Sequence, residues 1–172
     1  MASVISGMNP TAPIRSEAEA EAAAKASAIS IFIGVVVALV TVGWSFANPQ
    51  AMQDAVASAA GGGEVNAEAA AMGAQFALYL TGGLAVVQLI FGIIQWRNPG
   101  KWIAILFLVL LAYGILSTAA TPLLAGMVPN APAIPTWQIA LSLVIMVIQV
   151  VLHVAGLRGI NKLDTLQMQA AR

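Results

Sequence analysis

Cysteine is absent from this 172-residue chain, and charge is scarce: 8% of the side chains are Asp, Glu, Lys or Arg. The first absence excludes disulfides, thiolate metal centres, iron–sulfur ligation and cysteine nucleophiles, and it leaves the redox compartment unread. The second leaves too little polar surface to coat a water-soluble globule, because 60% of the residues are hydrophobic and the mean hydropathy is +0.89. Seven Lys and Arg balance seven Asp and Glu, so no basic excess exists to hold nucleic-acid phosphates, and nucleic acid is not an expected partner. This composition belongs to a membrane protein whose first partner is the lipid bilayer.

A hydrocarbon core of about 30 Å takes roughly 20 apolar residues at about 1.5 Å each. Four uncharged stretches meet that length, at 26–47, 72–96, 102–124 and 137–157. They are continuous apolar blocks about twice as long as the alternating strands of a membrane barrel, which makes them helices. The predicted architecture is all-α and polytopic: an antiparallel bundle of four transmembrane helices (26–157), an N-terminal arm (1–25) ending in a helical extension, and a C-terminal tail (158–172) that extends the fourth helix or lies along the membrane surface.

Orientation follows from the cations. Arg15 and Lys25 precede the first span, Arg97 and Lys101 fall between the second and third, and Arg158, Lys162 and Arg172 follow the fourth. Short loops rich in Lys and Arg stay in the cytoplasm, so both termini are expected there, with Asp54, Glu64 and Glu68 outside. Trp44, Trp96, Trp102 and Trp137 all sit at span ends, where amphipathic rings anchor at headgroup level. Abundant alanine, few lysines and no cysteine fit a bacterial inner membrane.

Outside the spans, Glu17, Glu19 and Glu21 stand where a signal peptide carries cations, so the arm is expected to be retained. Ser16 and Glu19 have capping-box spacing and predict a helix starting near Glu17. Residues 1–15 contain Pro10 and Pro13 and little pattern, and are expected to be flexible or to wait on a partner. In the first outer loop, Met52, Ala55, Val56 and Ala59 recur at helical spacing opposite Gln53, Asp54 and Ser58, predicting a short amphipathic helix on the membrane surface. Gly61, Gly62 and Gly63 mark a hinge, and Asn66 is placed to cap the helix that leads into the second span. The second outer loop holds Pro129, Pro132 and Pro135 and predicts a stiff connector.

Lipid removes the usual hydrophobic drive for helix association, so small residues and polar stripes become the packing signals. In the first span Ser30, Gly34 and Ala38 form a small-residue row, continued by Thr41 and accompanied by Ser27 and Ser45. Thr81, Gln88 and Gln95 recur every seven residues in the second span. Gln138, Ser142, Gln149 and His153 fall on one face of the fourth. Gln88 and Gln149 each lie eight residues from the end of their span, about 12 Å deep. That depth match predicts that the second and fourth spans are neighbours joined by a Gln88–Gln149 hydrogen bond. In the third span Tyr113, Ser117, Thr118 and Thr121 precede Pro122, which predicts a kink or stop at the outer end.

No nucleophile with its base, phosphate-binding glycine loop, paired carboxylate or metal cluster occurs, so enzyme activity, a metal site and a cofactor have no positive sign in the sequence. Ion-coupled transport usually needs an intramembrane charge, and the four spans have none. The expectation is a non-enzymatic membrane protein acting through helix contacts, as an accessory subunit of a larger membrane complex or as a homo-oligomer. A small channel or carrier for a neutral solute, lined by Gln88, Gln149, Ser142 and Tyr113, is the alternative. A weaker one is a haem-binding, cytochrome-like subunit using His153.

Overall fold

A computed structural model describes residues 4–60, 64–125 and 134–171, and all the regular structure among them is helical. In chain order the helices are α1 (Val4–Gly7), α2 (Glu17–Ala24), α3 (Ala26–Ala47), α4 (Pro49–Ala60), α5 (Glu64–Arg97), α6 (Lys101–Ala125) and α7 (Thr136–Ala170). Four stretches are long and apolar enough to cross a membrane: α2 with α3, most of α5, most of α6, and α7. That is the signature of an integral membrane protein. The Gly61–Gly63 hinge, Pro129 and Pro132, and the side chains of Ala55, Ser58 and Ala59 lie outside the described residues.

The capping box at the start of α2 is formed. Ser16 is extended (φ −128°), its hydroxyl accepts from the Glu19 amide at 3.3 Å, and the Glu19 carboxylate accepts from the Ser16 amide at 3.3 Å. Lys25, between α2 and α3, keeps helical angles (φ −66°, ψ −16°), so the 31 residues from Glu17 to Ala47 form nearly one rod. At the other end of the chain α7 continues unbroken for 35 residues to Ala170, about 50 Å at helical rise and well beyond the hydrocarbon thickness. The segment after Arg158 therefore takes the first of the two courses open to it and extends the helix.

Three expectations change. Pro122 does not stop α6, which runs on to Ala125; proline removes one donor, and hydroxyl bonds from Ser117 to Gly114 O and from Thr121 to Ser117 O reinforce the preceding turns. Asn66 does not cap α5, because helical backbone is present from Glu64. Residues 4–15 are not loose: α1 packs on α2, and the Arg158 guanidinium donates to Pro10 O. Gly7 makes that docking possible, since a Cβ there would lie 2.6 Å from Ala23 N.

The packing order differs from the predicted one in a way that matters for function. α3 packs against both α5 and α7, and α7 packs against α6 and α2, whereas α6 touches α3 and α5 much less. The first span thus lies between the second and the fourth. Where α2 and the start of α3 cross the far part of α7, backbones are in direct contact. A Cβ on Gly156 would sit 2.5 Å from Ser27 Cβ, and one on Gly159 would run into the Ala24 backbone and lie 2.8 Å from Ala20 O. Ala20, Ala22, Ala23, Ala24, Ala26, Ala28, Ala155 and Ile160 are buried there, so close approach of small residues holds this end together. We call it the closed end. At the open end the helices stand apart, and Leu39, Val40, Phe46, Phe76, Leu80, Leu84, Leu116 and Leu141 are exposed.

Candidate functional site

The polar stripes read from the sequence face one another across α3, and each behaves differently at its two ends. Near the closed end, Gln95 is fully buried; its amide donates to Ser27 Oγ at 2.7 Å and its carbonyl accepts from the Gly100 amide at 3.0 Å. Ser27 in turn donates to Ala24 O at 2.9 Å. One glutamine thereby ties α5 to α3 and holds the turn that leads into α6. One helical turn on, Ser30 and Gln149 form a reciprocal pair. Ser30 Oγ donates to Gln149 O at 3.0 Å, and Gln149 Nε2 donates to Ser30 O at 2.9 Å. Both residues are buried, and such bonds contribute about 0.6 to 2 kcal/mol each within a membrane.

The expected Gln88–Gln149 bond is not made. Both amides converge on Gly34: a Cβ there would lie 3.2 Å from Gln149 Nε2 and 3.3 Å from Gln88 Oε1. α3 occupies the space between the second and fourth spans, and Gln149 turns to the Ser30 carbonyl instead. Gln88 Oε1 is buried without a hydrogen-bond partner. Matching depth thus brought the two amides to one level, but an intervening helix took the bond.

His153 is 1% exposed, stacks on Phe107 with ring centroids 6.2 Å apart, and leaves Nδ1 without a partner. An aromatic lid at that distance and so little free surface do not fit a haem ligand, whose ring must present a nitrogen to an open macrocycle face. Lys25, paired with Glu21 at 2.7 Å, also lies over the Trp96 ring at 5.6 Å. The four tryptophans remain at helix ends, with Trp44, Trp102 and Trp137 widely exposed and Trp96 less so.

Toward the open end the same stripes part. Ser30 is buried, Gly34 and Ala38 are half-buried, and Thr41 is exposed. Thr41 and Ser45 from α3, Thr118 and Thr121 from α6, and Gln138 and Ser142 from α7 line a cleft of about 780 Å³ that also includes Trp44 and Trp137. Tyr113, 72% exposed, is not brought to the glutamines. A smaller cleft of about 410 Å³ lies where α4 leans on α5, lined by Met52, Val56 and Tyr79.

Sequence reasoning missed the Gly156 and Gly159 crossing. Its signal was present as two glycines three apart opposite an alanine-rich stretch, but the run after Arg158 reads as a tail because it carries charge. Searches of family models, curated proteins and solved structures returned no match to the chain.

Proposed function

We propose that this chain is a non-enzymatic integral membrane protein that works through helix contacts, as an accessory subunit of a larger membrane complex or as a homo-oligomer. In this reading the spans run up and down as an antiparallel bundle. Both termini and the closed end lie in or toward the cytoplasm, where the cations collect, most naturally at a bacterial inner membrane.

The observation that supports it is the reciprocal Ser30–Gln149 pair with its neighbour Gln95–Ser27. Gln149, one of the amides that could have lined a solute path, is engaged as adhesive between α3 and α7. A channel needs a continuous polar route, whereas Gln149, Leu152 and Phe107 are buried and do not line the cleft at the open end. Around this cemented end, Val86, Ile90, Ile93 and Ile94 on α5 and Leu106, Val109 and Leu110 on α6 face outward, an apolar surface suited to lipid and to a neighbouring helix.

Two measurements test this. The particle purified in mild detergent from native membranes is expected to exceed the 17.7 kDa of one chain; a strictly monomeric particle with nothing co-purifying would overturn the assembly role. Cysteines placed at positions 88 and 149 are expected to resist water-soluble thiol reagents. Rapid modification of both would favour the neutral-solute channel.

A further inference from the structure

We infer that the cleft at the open end is a binding site for an uncharged, carbonyl-bearing lipid, with the glycerol and ester region of a diacylglycerol as its fitting example. The inference concerns a different part of the molecule from the helix contacts proposed above and does not depend on oligomeric state.

The walls decide the chemistry. The cleft lies between α3, α6 and α7, and every described residue lining it is uncharged. A phosphate or ammonium headgroup drawn into it would lose hydration and gain no counter-charge. A sugar or other fully polar solute is equally ill matched, since Val40, Ile139, Leu141 and the two tryptophans supply much of the surface.

The hydrogen-bonding groups fall into two sets. Thr41 donates to Val37 O at 2.9 Å, Ser45 to Thr41 O at 3.0 Å and Thr121 to Ser117 O at 3.1 Å, so these three hydroxyl protons are held by their own helices. The side chains of Thr118, Gln138 and Ser142 make no hydrogen bond to other described residues, although most threonine and serine hydroxyls of this chain's membrane segments bond to a carbonyl. Free donors in a largely apolar cleft call for acceptors. Ester or ketone oxygens are acceptors without charge.

Size and access point the same way. At about 780 Å³ the cleft falls within the range of small-molecule sites, roughly 300–1,000 Å³. α7 forms its back wall, and α3 and α6 touch little, leaving a sideways opening through which acyl chains can remain in the bilayer while the head is held. Trp44 and Trp137 line the cleft, and such rings favour the interface at which lipid ester groups lie.

The test is photolabelling of the full-length protein in vesicles, with a diacylglycerol carrying a diazirine near its ester and, separately, a phosphatidylglycerol of the same chains. Labelled peptides are then mapped by mass spectrometry. The expected result is labelling concentrated at 40–45, 118–121 and 137–142, stronger with the diacylglycerol. Ser142→Ala is expected to lower it about fivefold, the factor corresponding to one net hydrogen bond, while Ser142→Thr retains it. Because Ser142 is exposed, these variants keep the fold, which an unchanged thermal melt verifies. Labelling spread evenly over all four spans, equal labelling by the anionic lipid, or indifference to Ser142→Ala would overturn the site. So would protection of the cleft by a cross-linked polypeptide in native membranes, which would assign it to a protein partner.

Discussion

At the closed end Gly156 and Gly159 bring the α7 backbone against Ser27 of α3 and Ala24 of α2; at the open end α3 and α7 both line a 780 Å³ cleft. Polar residues recur along both helices throughout, so the difference is not one of polarity. Where Gly156 and Gly159 let the backbones touch, serine and glutamine side chains reach across and bond to the opposite helix. Where no such glycines face α3, Thr41 and Ser45 bond to their own backbone and Ser142 bonds to neither. Backbone separation, set by residue size, determines whether a polar stripe acts as an adhesive or as the lining of a cavity.

The largest expected effect comes from forcing the closed end apart. Gly159→Leu places a side chain into the Ala24 and Ala20 backbone and should destabilise by roughly 3 kcal/mol or more. A Cβ on Gly43, near the open end of α3, meets nothing within 4 Å, so Gly43→Leu should stay within about 0.5 kcal/mol of wild type. Reversible unfolding in mixed detergent micelles compares them, and equal losses would erase the distinction between the ends.

Next in size are the bonds across the seam. Ser30→Ala and Gln149→Leu each remove one side-chain bond to the opposite backbone, so each should cost about 1 kcal/mol and the double variant about the sum. Thr41→Val and Ser142→Ala should each stay within about 0.5 kcal/mol of wild type, because neither hydroxyl bonds another helix.

Gln88 sharpens the comparison from another side. Its Oε1 is buried and unpartnered beside Gly34, so Gln88→Leu is expected to be neutral or stabilising by up to about 1 kcal/mol. A clear destabilisation would mean that Gln88 holds a bridging water or a partner's donor. The smallest effect is at Lys25, whose ammonium pairs with Glu21 and lies over Trp96. Lys25→Ala should cost about 0.5 kcal/mol, and the cost should shrink at high salt.

Much of the site was legible in part. Gln95, Gln149 and His153 stand out in the sequence as residues that lipid does not tolerate, and all three are buried in protein. The partners were not legible. Equal depth, which helical rise supplies, pairs Gln149 with Gln88, but depth says nothing about which helix stands beside which. Tyr113 shared a helix with Thr118, yet only Thr118 reaches the cleft, because rotation of α6 about its own axis is set by packing against α7.

What the amino-acid order determined alone is the set of long apolar helices, the capped start at Ser16 and the faces on which polar residues collect. Hydrophobic length, capping geometry and helical periodicity are local, one-chain properties. Only the tertiary structure decided that α3 stands between α5 and α7, that the arm docks through Gly7, and that the stripes join at one end and part at the other. Those outcomes depend on how closely two backbones approach, which is a joint property of segments up to 150 residues apart, as Glu17 and Gln167 are, and no single helix carries it.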